Sequence, residues 1–287
     1  MVKLADVDIK TREVLEWKGL HLLHFAFSSC SQKLRILLAL KGLKWESHEI
    51  DLMGSENFSD WFLGINPRGL VPVLVDNGDV HIESNDIIAY LEKKYPEPRL
   101  IPAGLEDQVD ALLKHENDLH LDLRTLSFRF VFNPPDQPKS PEELERYATT
   151  GSGTVNGKKD PWKDIEIGFW RKVASEGITD EVARSAAETF RKAFNELDER
   201  LEKTPYLLGD TLSVLDIAWF IYANRLVLAH YPLTRLHPRL AAWYNRLCER
   251  PEFAKEIALP PPVVAHFAAG HKRDVDEGRT LELVAGL

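Results

Sequence analysis

The chain changes character near residue 96, and this change constrains its fold more than any other feature. From about Leu20 to Tyr95, short apolar or alternating segments predict strands that alternate with helices in the order βαβ, then αββα. Prolines at 96, 98 and 102, with Gly104, then interrupt the pattern as a linker does. Long helical periodicities follow, and strand signals are nearly absent. The sequence therefore predicts an α+β N-terminal domain of thioredoxin-like layout followed by an all-α helical bundle domain.

The local signals place the individual elements. Strands are predicted at 20–25, 45–50, 71–75 and 80–82. Helices are predicted after Ser28, around 58–62, and over 84–94, 105–132, 179–201, 213–231 and 237–250. The turn Asp76-Asn77-Gly78-Asp79 predicts a hairpin between the last two strands. We divide the chain into an N-terminal extension (1–17), a thioredoxin-like domain (18–98), a helical domain (105–260) with an irregular insertion (133–168), and a C-terminal extension (261–287).

Composition and charge exclude several classes of function. No run approaches the roughly 18 to 20 apolar residues that cross a bilayer, and the N-terminus lacks the apolar core of a signal peptide, so we expect a cytoplasmic protein without a membrane partner. A net charge of −9 without a long Lys/Arg block argues against nucleic acid. Cys30 and Cys248 lie far apart, and the ten histidines show no HExxH or other metal-ligand spacing. We expect neither a structural disulfide nor a metal.

Hydroxyls and a thiol cluster where the first predicted strand meets its helix. Ser28-Ser29-Cys30-Ser31 follows the strand and precedes Leu34, Leu37 and Leu38 at helical spacing. Either Ser28 or Ser29 can cap the helix, where unpaired backbone N–H groups and the positive end of the helix dipole face a ligand. Such a junction can bind and ionise a thiol. In isolation, a capping serine and a small buried cysteine explain the same residues.

Three further motifs, in the order in which they occur, carry a resemblance to cytosolic glutathione transferases. They are Asn66-Pro67-Arg68-Gly69-Leu70-Val71-Pro72, then Glu83-Ser84, and then Ser213-Val214-Leu215-Asp216 in the helical half. The Ser-Ser-Cys signature most resembles that of the zeta class, which includes maleylacetoacetate isomerases. It also resembles that of tetrachlorohydroquinone dehalogenases. The resemblance covers roughly residues 20–253 and implies the glutathione transferase fold, glutathione as cosubstrate and a homodimer.

The resemblance also implies roles for residues of the first domain. Ser28 matches the position of the family's catalytic serine or cysteine, and Cys30 is the second candidate, able to form a mixed disulfide with glutathione. Ser29 is a candidate for contact with glutathione. A cis Val71–Pro72 bond would expose the Val71 main chain to the cysteinyl unit. An edge-strand proline without a ligand is the alternative.

The two ends of glutathione have separate candidates. Ser84 and nearby N–H groups can bind the γ-glutamyl carboxylate and Glu83 its ammonium, although an acidic-Ser pair is also an ordinary helix cap. Arg68 and the neighbourhood of Asn57 are weaker candidates for the glycyl carboxylate, since an exposed, solvated arginine explains Arg68 equally well.

The first long helix of the second domain would cover the pocket for the second substrate, a small hydrophobic electrophile. Its candidate residues are His120, Arg124 and Phe128, with Trp170 from beyond the insertion, although such residues at helical spacing also build cores. Conjugation is the default reaction. Isomerisation, reductive dehalogenation through Cys30 and ether cleavage are alternatives within the same chemistry, and a non-catalytic binding protein is an alternative outside it.

Overall fold

A five-stranded mixed sheet organises the first part of the chain. The computed structural model describes residues 2–132 and 139–287, so residues 133–138 of the predicted insertion lie outside the described residues. The strands are β1 (Val2–Lys3), β2 (Leu20–His24), β3 (Glu46–Glu49), β4 (Val73–Asp76) and β5 (Asp79–Ile82), in the order β1-β5-β4-β2-β3. Strands β2 and β3 are parallel, and the other pairs are antiparallel. This is the predicted thioredoxin-like arrangement, with one additional strand.

The chain divides into two units. The first comprises Met1–Pro96 with Gln137–Gly177, and the second Glu97–Asp136 with Ile178–Leu287. The helices of the first unit are α1 (Ser29–Leu40), α2 (Asp60–Leu63), α3 (Ser84–Lys94), α6 (Pro141–Thr149) and α7 (Trp162–Glu176). Those of the second are α4 (Glu106–Asp118), α5 (His120–Phe130), α8 (Asp180–Arg200), α9 (Val214–Leu228), α10 (Leu233–Leu236), α11 (Pro238–Cys248), α12 (Pro251–Ile257), α13 (Pro261–Asp276) and α14 (Leu281–Ala285). The prediction of an α+β half followed by a helical half is confirmed.

Residues 1–17, treated above as an extension, contribute to the first unit. Val2 pairs with Ile82, so β1 extends the sheet beside β5. Two 3-10 turns follow, and Leu4, Ile9 and Val14 are buried in the core together with sheet residues. These apolar side chains are removed from water by the sheet, and their burial stabilises the unit.

The insertion is ordered where it is described, so the prediction of irregular structure is wrong for residues 139–168. Helix α6 begins at a capping box in which Ser140 Oγ accepts from Glu143 N (3.1 Å) and Glu143 accepts from Ser140 N (2.8 Å). A hairpin of β6 (Thr154–Val155) and β7 (Lys158–Lys159) separates α6 from α7. Its turn residues Asn156 and Gly157 adopt positive φ, as two-residue hairpin turns require. The many Pro and Gly residues of this segment predicted irregular structure, although its capping box and hairpin turn favour regular elements.

Helices are the main elements of the described residues of the second unit, and an isolated β-bridge joins Tyr206 to Gly209 in the loop before α9. The predicted helix 105–132 is interrupted at Leu119, which separates α4 from α5. The predicted capping box at Ser213 and Asp216 starts α9, whose residues 214–226 are all buried. The C-terminal helix α14 packs on α8, burying Leu281 and Val284. Among the helices of the described ranges, none has the length and apolarity that crossing a bilayer requires.

Candidate functional site

Three predicted motifs meet at one end of the sheet. Leu23 of β2 pairs with Val73 of β4, and Val73 pairs with Ile82 of β5. Because β4 runs antiparallel to both neighbours, its start lies beside their ends. The loop to Ser28, the Val71–Pro72 segment and the Glu83–Ser84 pair therefore share this end.

Of the two predicted caps, Ser28 and Ser29, the structure has Ser28 as the N-cap of α1. Its Oγ accepts from Ser31 N at 3.3 Å, and its own N–H donates to Phe25 O at 3.1 Å. Ser28, Ser29 and Cys30 are each partly exposed. The serine oxygen thus serves the helix as an acceptor, while its hydroxyl hydrogen can donate to an anion. The first N–H groups of a twelve-residue helix lie at the same place.

Arg35 fixes the loop between β2 and α1. Its guanidinium donates to Phe25 O (3.2 Å), Ala26 O (2.8 Å) and His24 Nδ1 (3.1 Å). His24 Nε2 lies 2.7 Å from Ser47 Oγ. Burial, and next the positive charge of Arg35, lower the pKa of His24 to about 4. Sequence reasoning missed Arg35 as a positioning residue. Its place seven residues after Ser28, about two turns along the same face of α1, was the available signal.

The other two motifs have the expected backbone. The Val71–Pro72 peptide bond is cis, as the resemblance implies. Glu83 has a φ of 67°, uncommon for a residue other than glycine, and it is followed by the buried Ser84, the first residue of α3. The N–H groups of the first turn of α3 therefore begin at Ser84.

Arg68 lies in an ion network, not in open solvent. Its Nη1 is 2.5 Å from Glu83 Oε1, and its Nη2 is 2.5 Å from Asp160 Oδ2. Burial lowers the pKa of the Arg68 guanidinium, but its hydrogen bonds to Asp160 and Glu83 outweigh burial and raise the pKa above its usual value. Two carboxylates on one guanidinium leave a local excess of negative charge. Asp160 comes from the insertion and was not a predicted site residue.

Buried contacts of the insertion support the loop that carries Arg68. Tyr147 of α6 donates its hydroxyl to Arg68 O at 2.7 Å and stacks on Phe58 with ring centroids 4.3 Å apart. Asn57 donates to Gly69 O at 2.7 Å, so its amide nitrogen is engaged in holding the loop. The insertion thus packs on the segment preceding the cis proline.

The predicted pocket residues of the second unit share one face of α5. His120, Arg124 and Phe128 follow one another at intervals of four residues. His120 Nδ1 lies 3.1 Å from the Tyr222 hydroxyl, and the Arg124 guanidinium lies over the Phe128 ring, 5.8 Å from its centroid. Trp170, in contrast, is a buried residue of α7 in the first unit.

An aromatic cluster continues from this face of α5. Phe132 contacts Phe128 (ring centroids 5.6 Å apart) and Phe267 of α13 (5.9 Å), and the Arg225 guanidinium lies 4.8 Å from the Phe132 centroid. The C-terminal extension therefore contributes to the same surface as the predicted residues. Sequence reasoning missed Phe132, Arg225 and Phe267, because only the packing of α13 on α5 brings them together.

Comparisons with known proteins give matches in both halves of the chain. Family profiles for the glutathione S-transferase N-terminal and C-terminal domains match residues 27–94 and 170–246. A zeta-class glutathione S-transferase of Euphorbia esula is 50% identical over 78 residues, which are 27% of this chain and 35% of that protein. The chain thus spans about a third of the zeta-class relative that it matches.

A second relative is similar along most of both chains. Protein LigF of Sphingobium sp. strain SYK-6 is 31% identical over 242 residues, covering 79% of this chain and 89% of LigF. The crystal structure of the beta-etherase LigF from that strain superposes with a TM-score of 0.68 and 28% identity, over 83% of this chain and 98% of LigF.

Proposed function

Since this chain belongs to the cytosolic glutathione transferase superfamily and its N-terminal half is zeta-like, we propose that it activates the thiol of glutathione for attack on a small hydrophobic electrophile. A glutathione-dependent role follows from the family. The observation that carries the finer proposal is the convergence of Ser28, Val71–Pro72 and Glu83–Ser84 at one end of the sheet.

Each motif then has one task. The Val71 main chain pairs with the cysteinyl unit of glutathione, which brings the sulfur towards the start of α1. Ser84 and the first N–H groups of α3 bind the γ-glutamyl carboxylate, and Glu83 receives the ammonium. Arg68 contacts Glu83, and Asp160 holds Arg68 from the other side, so both residues position the Glu83 carboxylate. Ser29 contributes its N–H at the start of α1.

Ser28 stabilises the thiolate. A free cysteine-like thiol has a pKa of about 8.5, so lowering this pKa by two units takes about 2.7 kcal/mol of preferential stabilisation of the anion. A hydroxyl hydrogen bond to a charged group supplies roughly 1.5 to 3 kcal/mol. A helix N-terminus supplies about 0.3 to 2 kcal/mol. These two terms suffice without a strong base or a metal.

The thiolate attacks the electrophilic carbon, forming a carbon–sulfur bond as the leaving group departs with its electron pair. The face formed by His120, Arg124 and Phe128 supplies apolar contact for the electrophile and positive charge for an anionic leaving group. We place the protein in the cytoplasm as a homodimer. The molar mass from light scattering would test the dimer.

Cleavage of a β-aryl ether is a second candidate reaction. It is favoured by the similarity to LigF, which extends through both halves of the chain and is not confined to the glutathione-binding half. In that reaction the sulfur attacks the carbon bearing the aryloxy group, and the phenolate leaves.

The test compares two variants of the candidate site and one control variant on two substrates. We expect the protein to bind immobilised glutathione, Ser28→Ala to lose most turnover with both a model aryl halide and a β-aryl ether, and Cys30→Ser to retain turnover. Thr179→Ala is the matched control, because Thr179 also caps a helix, with its Oγ1 3.3 Å from Val182 N, but belongs to none of the candidate motifs. Thermal unfolding of both variants measures the cost of losing a cap.

The remaining outcomes discriminate between the alternatives. Full activity of Ser28→Ala would reject the role of Ser28. Loss of activity in Cys30→Ser, with a glutathione adduct on Cys30 in the wild type, would indicate thiol exchange. Binding of glutathione without turnover of any electrophile would identify a non-catalytic binding protein, and absence of binding would overturn the proposal.

A further inference from the structure

Two histidines and a glutamate converge on one face of the sheet, away from the candidate residues above. His21 of β2 pairs in register with Glu46 of the edge strand β3, and His48 stands two residues further along β3. Side chains two residues apart on a strand point to the same face. His21 Nδ1 lies 3.0 Å from His48 Nε2 and 3.5 Å from Glu46 Oε2, and one ligand atom of each residue lies within 4.8 Å of the others.

The orientation of His21 suits a ligand. Its Nε2 lies 2.9 Å from Lys18 O, and a ring nitrogen beside a carbonyl oxygen must carry the proton and donate it. In the neutral ring the Nδ1 atom is then the unprotonated nitrogen, and it faces Glu46 and His48. A backbone carbonyl on the far nitrogen is the usual support of a metal-bound histidine.

An indole ring shields the two histidines on one side. Trp17 stacks on His48 with ring centroids 4.5 Å apart and an interplanar angle of 12°, and its centroid lies 4.6 Å from that of His21. On the other side, Glu46 is 71% exposed whereas His21 is only 7% exposed. The cluster therefore has a rigid inner wall and an open, anionic outer side.

We propose that His21, Glu46 and His48 form a binding site for a divalent transition metal, with Zn²⁺ as the best match to two imidazoles and one carboxylate. Bonds of about 2.0 to 2.1 Å in tetrahedral geometry separate neighbouring ligand atoms by about 3.3 Å. The two separations from His21 Nδ1, 3.0 and 3.5 Å, therefore need to change only by tenths of an ångström, and rotation of the exposed Glu46 side chain adjusts its distance from His48, which is at most 4.8 Å. Three protein ligands leave the fourth position to water.

Without a metal, a hydrogen bond joins the facing ring nitrogens of His21 and His48. When both rings are neutral and His21 carries its proton on Nε2, the contact between the two rings requires that His48 Nε2–H donates to His21 Nδ1. Metal binding then moves that proton to His48 Nδ1, so that both facing nitrogens become ligands. The sequence offered no metal-ligand spacing because His21 precedes Glu46 by 25 residues and His48 by 27 residues, and the ligands meet only through parallel pairing of their strands.

The experiment uses tag-free, full-length protein freed of metal with a chelator. Competition with a chromophoric chelator should give one Zn²⁺ per chain, and Cu²⁺ added to the same site should show two nitrogen ligands by electron paramagnetic resonance. We expect His48→Gln and Glu46→Gln to weaken Zn²⁺ binding at least tenfold. Glu49→Gln, which removes the same charge from an exposed neighbour on β3, should leave binding within twofold.

Three outcomes would overturn the site: no stoichiometric binding, equal weakening by Glu49→Gln and Glu46→Gln, or unchanged affinity in both ligand variants. The exposed position of Glu46 keeps the test valid if His48→Gln does not fold. Because the readout is metal affinity, it is independent of glutathione binding, and failure of either proposal leaves the other standing.

Discussion

Arg68 and Asp160, 92 residues apart in the chain, form a nearly buried, bidentate ion pair. Arg68 Nε donates to Asp160 at 3.1 Å and Nη2 donates at 2.5 Å, and the side chains are 11% and 9% exposed. The same guanidinium binds Glu83 at 2.5 Å. Through this pair the insertion is joined to a residue that we propose receives the ammonium of glutathione.

Removing the Asp160 charge should therefore affect substrate binding more than chemistry. Asp160→Asn leaves Glu83 as the anionic partner of Arg68. The guanidinium then attracts Glu83 more strongly and draws its carboxylate away from the ammonium of the ligand. We expect the KM for glutathione to rise about three- to tenfold, kcat to stay within twofold, and the free energy of unfolding to fall by about 1–3 kcal/mol. Steady-state kinetics and urea unfolding measure these effects.

Asp164→Asn is the control for this prediction. Asp164 is a carboxylate of the same segment, but it is 72% exposed and lies 3.9 Å from Lys159. Exposed pairs of this kind contribute little to stability. A KM change of the same size in Asp164→Asn would indicate a general charge effect and contradict the specific role of Asp160.

The local elements could be predicted because their signals lie within a few residues. Helix α3 spans the predicted residues 84–94, Ser28 caps α1, and the Asn77-Gly78 turn adopts positive φ at both positions. Periodicity, capping and turn chemistry are properties of short segments, which a single sequence displays.

The long-range partners could not be predicted in this way. Nothing near Arg68 indicates that Asp160 is its partner, and nothing near His21 indicates Glu46 or His48. Likewise, apolar spacing continues through Leu119, so periodicity alone does not show the break between α4 and α5. These features depend on tertiary packing, which overrides local preference.

Gly69 tests the packing of the insertion. Its φ is +63°, and a Cβ atom there would lie 2.9 Å from Tyr147 Cε2 and 3.2 Å from Asn57 O. Gly69→Ala should therefore lower the free energy of unfolding by about 2–4 kcal/mol, since overpacking adds to the left-handed backbone cost. Denaturant unfolding provides the measurement.

Gly153→Ala isolates the backbone part of that effect. Gly153 belongs to the insertion and has a φ of +67°, yet a Cβ atom there would meet nothing within 4 Å. It should cost only about 1–2 kcal/mol. Equal losses at the two glycines would show that Tyr147 does not pack tightly on the loop.

Asp216 should be a major contributor to the stability of the second unit. This fully buried carboxylate accepts from Leu207 N (3.0 Å), from the Ser213 N–H (2.9 Å) and hydroxyl (2.7 Å), and from Trp243 Nε1 (2.9 Å). Asp216→Ala leaves these buried donors without their acceptor, so we expect a loss of about 3 kcal/mol or more. Thermal unfolding should show it, whereas the exposed Asp210→Ala should stay near the wild type.

His24 should make the stability of the first unit depend on pH below neutrality. Burial, then the charges of Arg35 and His48, lower the pKa of His24 to about 4, whereas an unfolded histidine takes up a proton at about pH 6.5. Between these values the unfolded chain binds more protons than the folded one, so the free energy of unfolding falls as the pH falls from 6.5 to 4. Allowing for partial exposure to solvent, we expect His24 to account for about 1–2 kcal/mol of that fall.

Urea unfolding at intervals from pH 7.5 to 4.5 measures this contribution. His24→Gln can still accept from Arg35 but does not titrate, so its stability should decline less steeply over the same range than that of the wild type. His266→Gln removes an exposed histidine and should reproduce the wild-type slope. Parallel curves for His24→Gln and the wild type would mean that the imidazole titrates alike in both states, and that the contact with Arg35 does not hold it neutral.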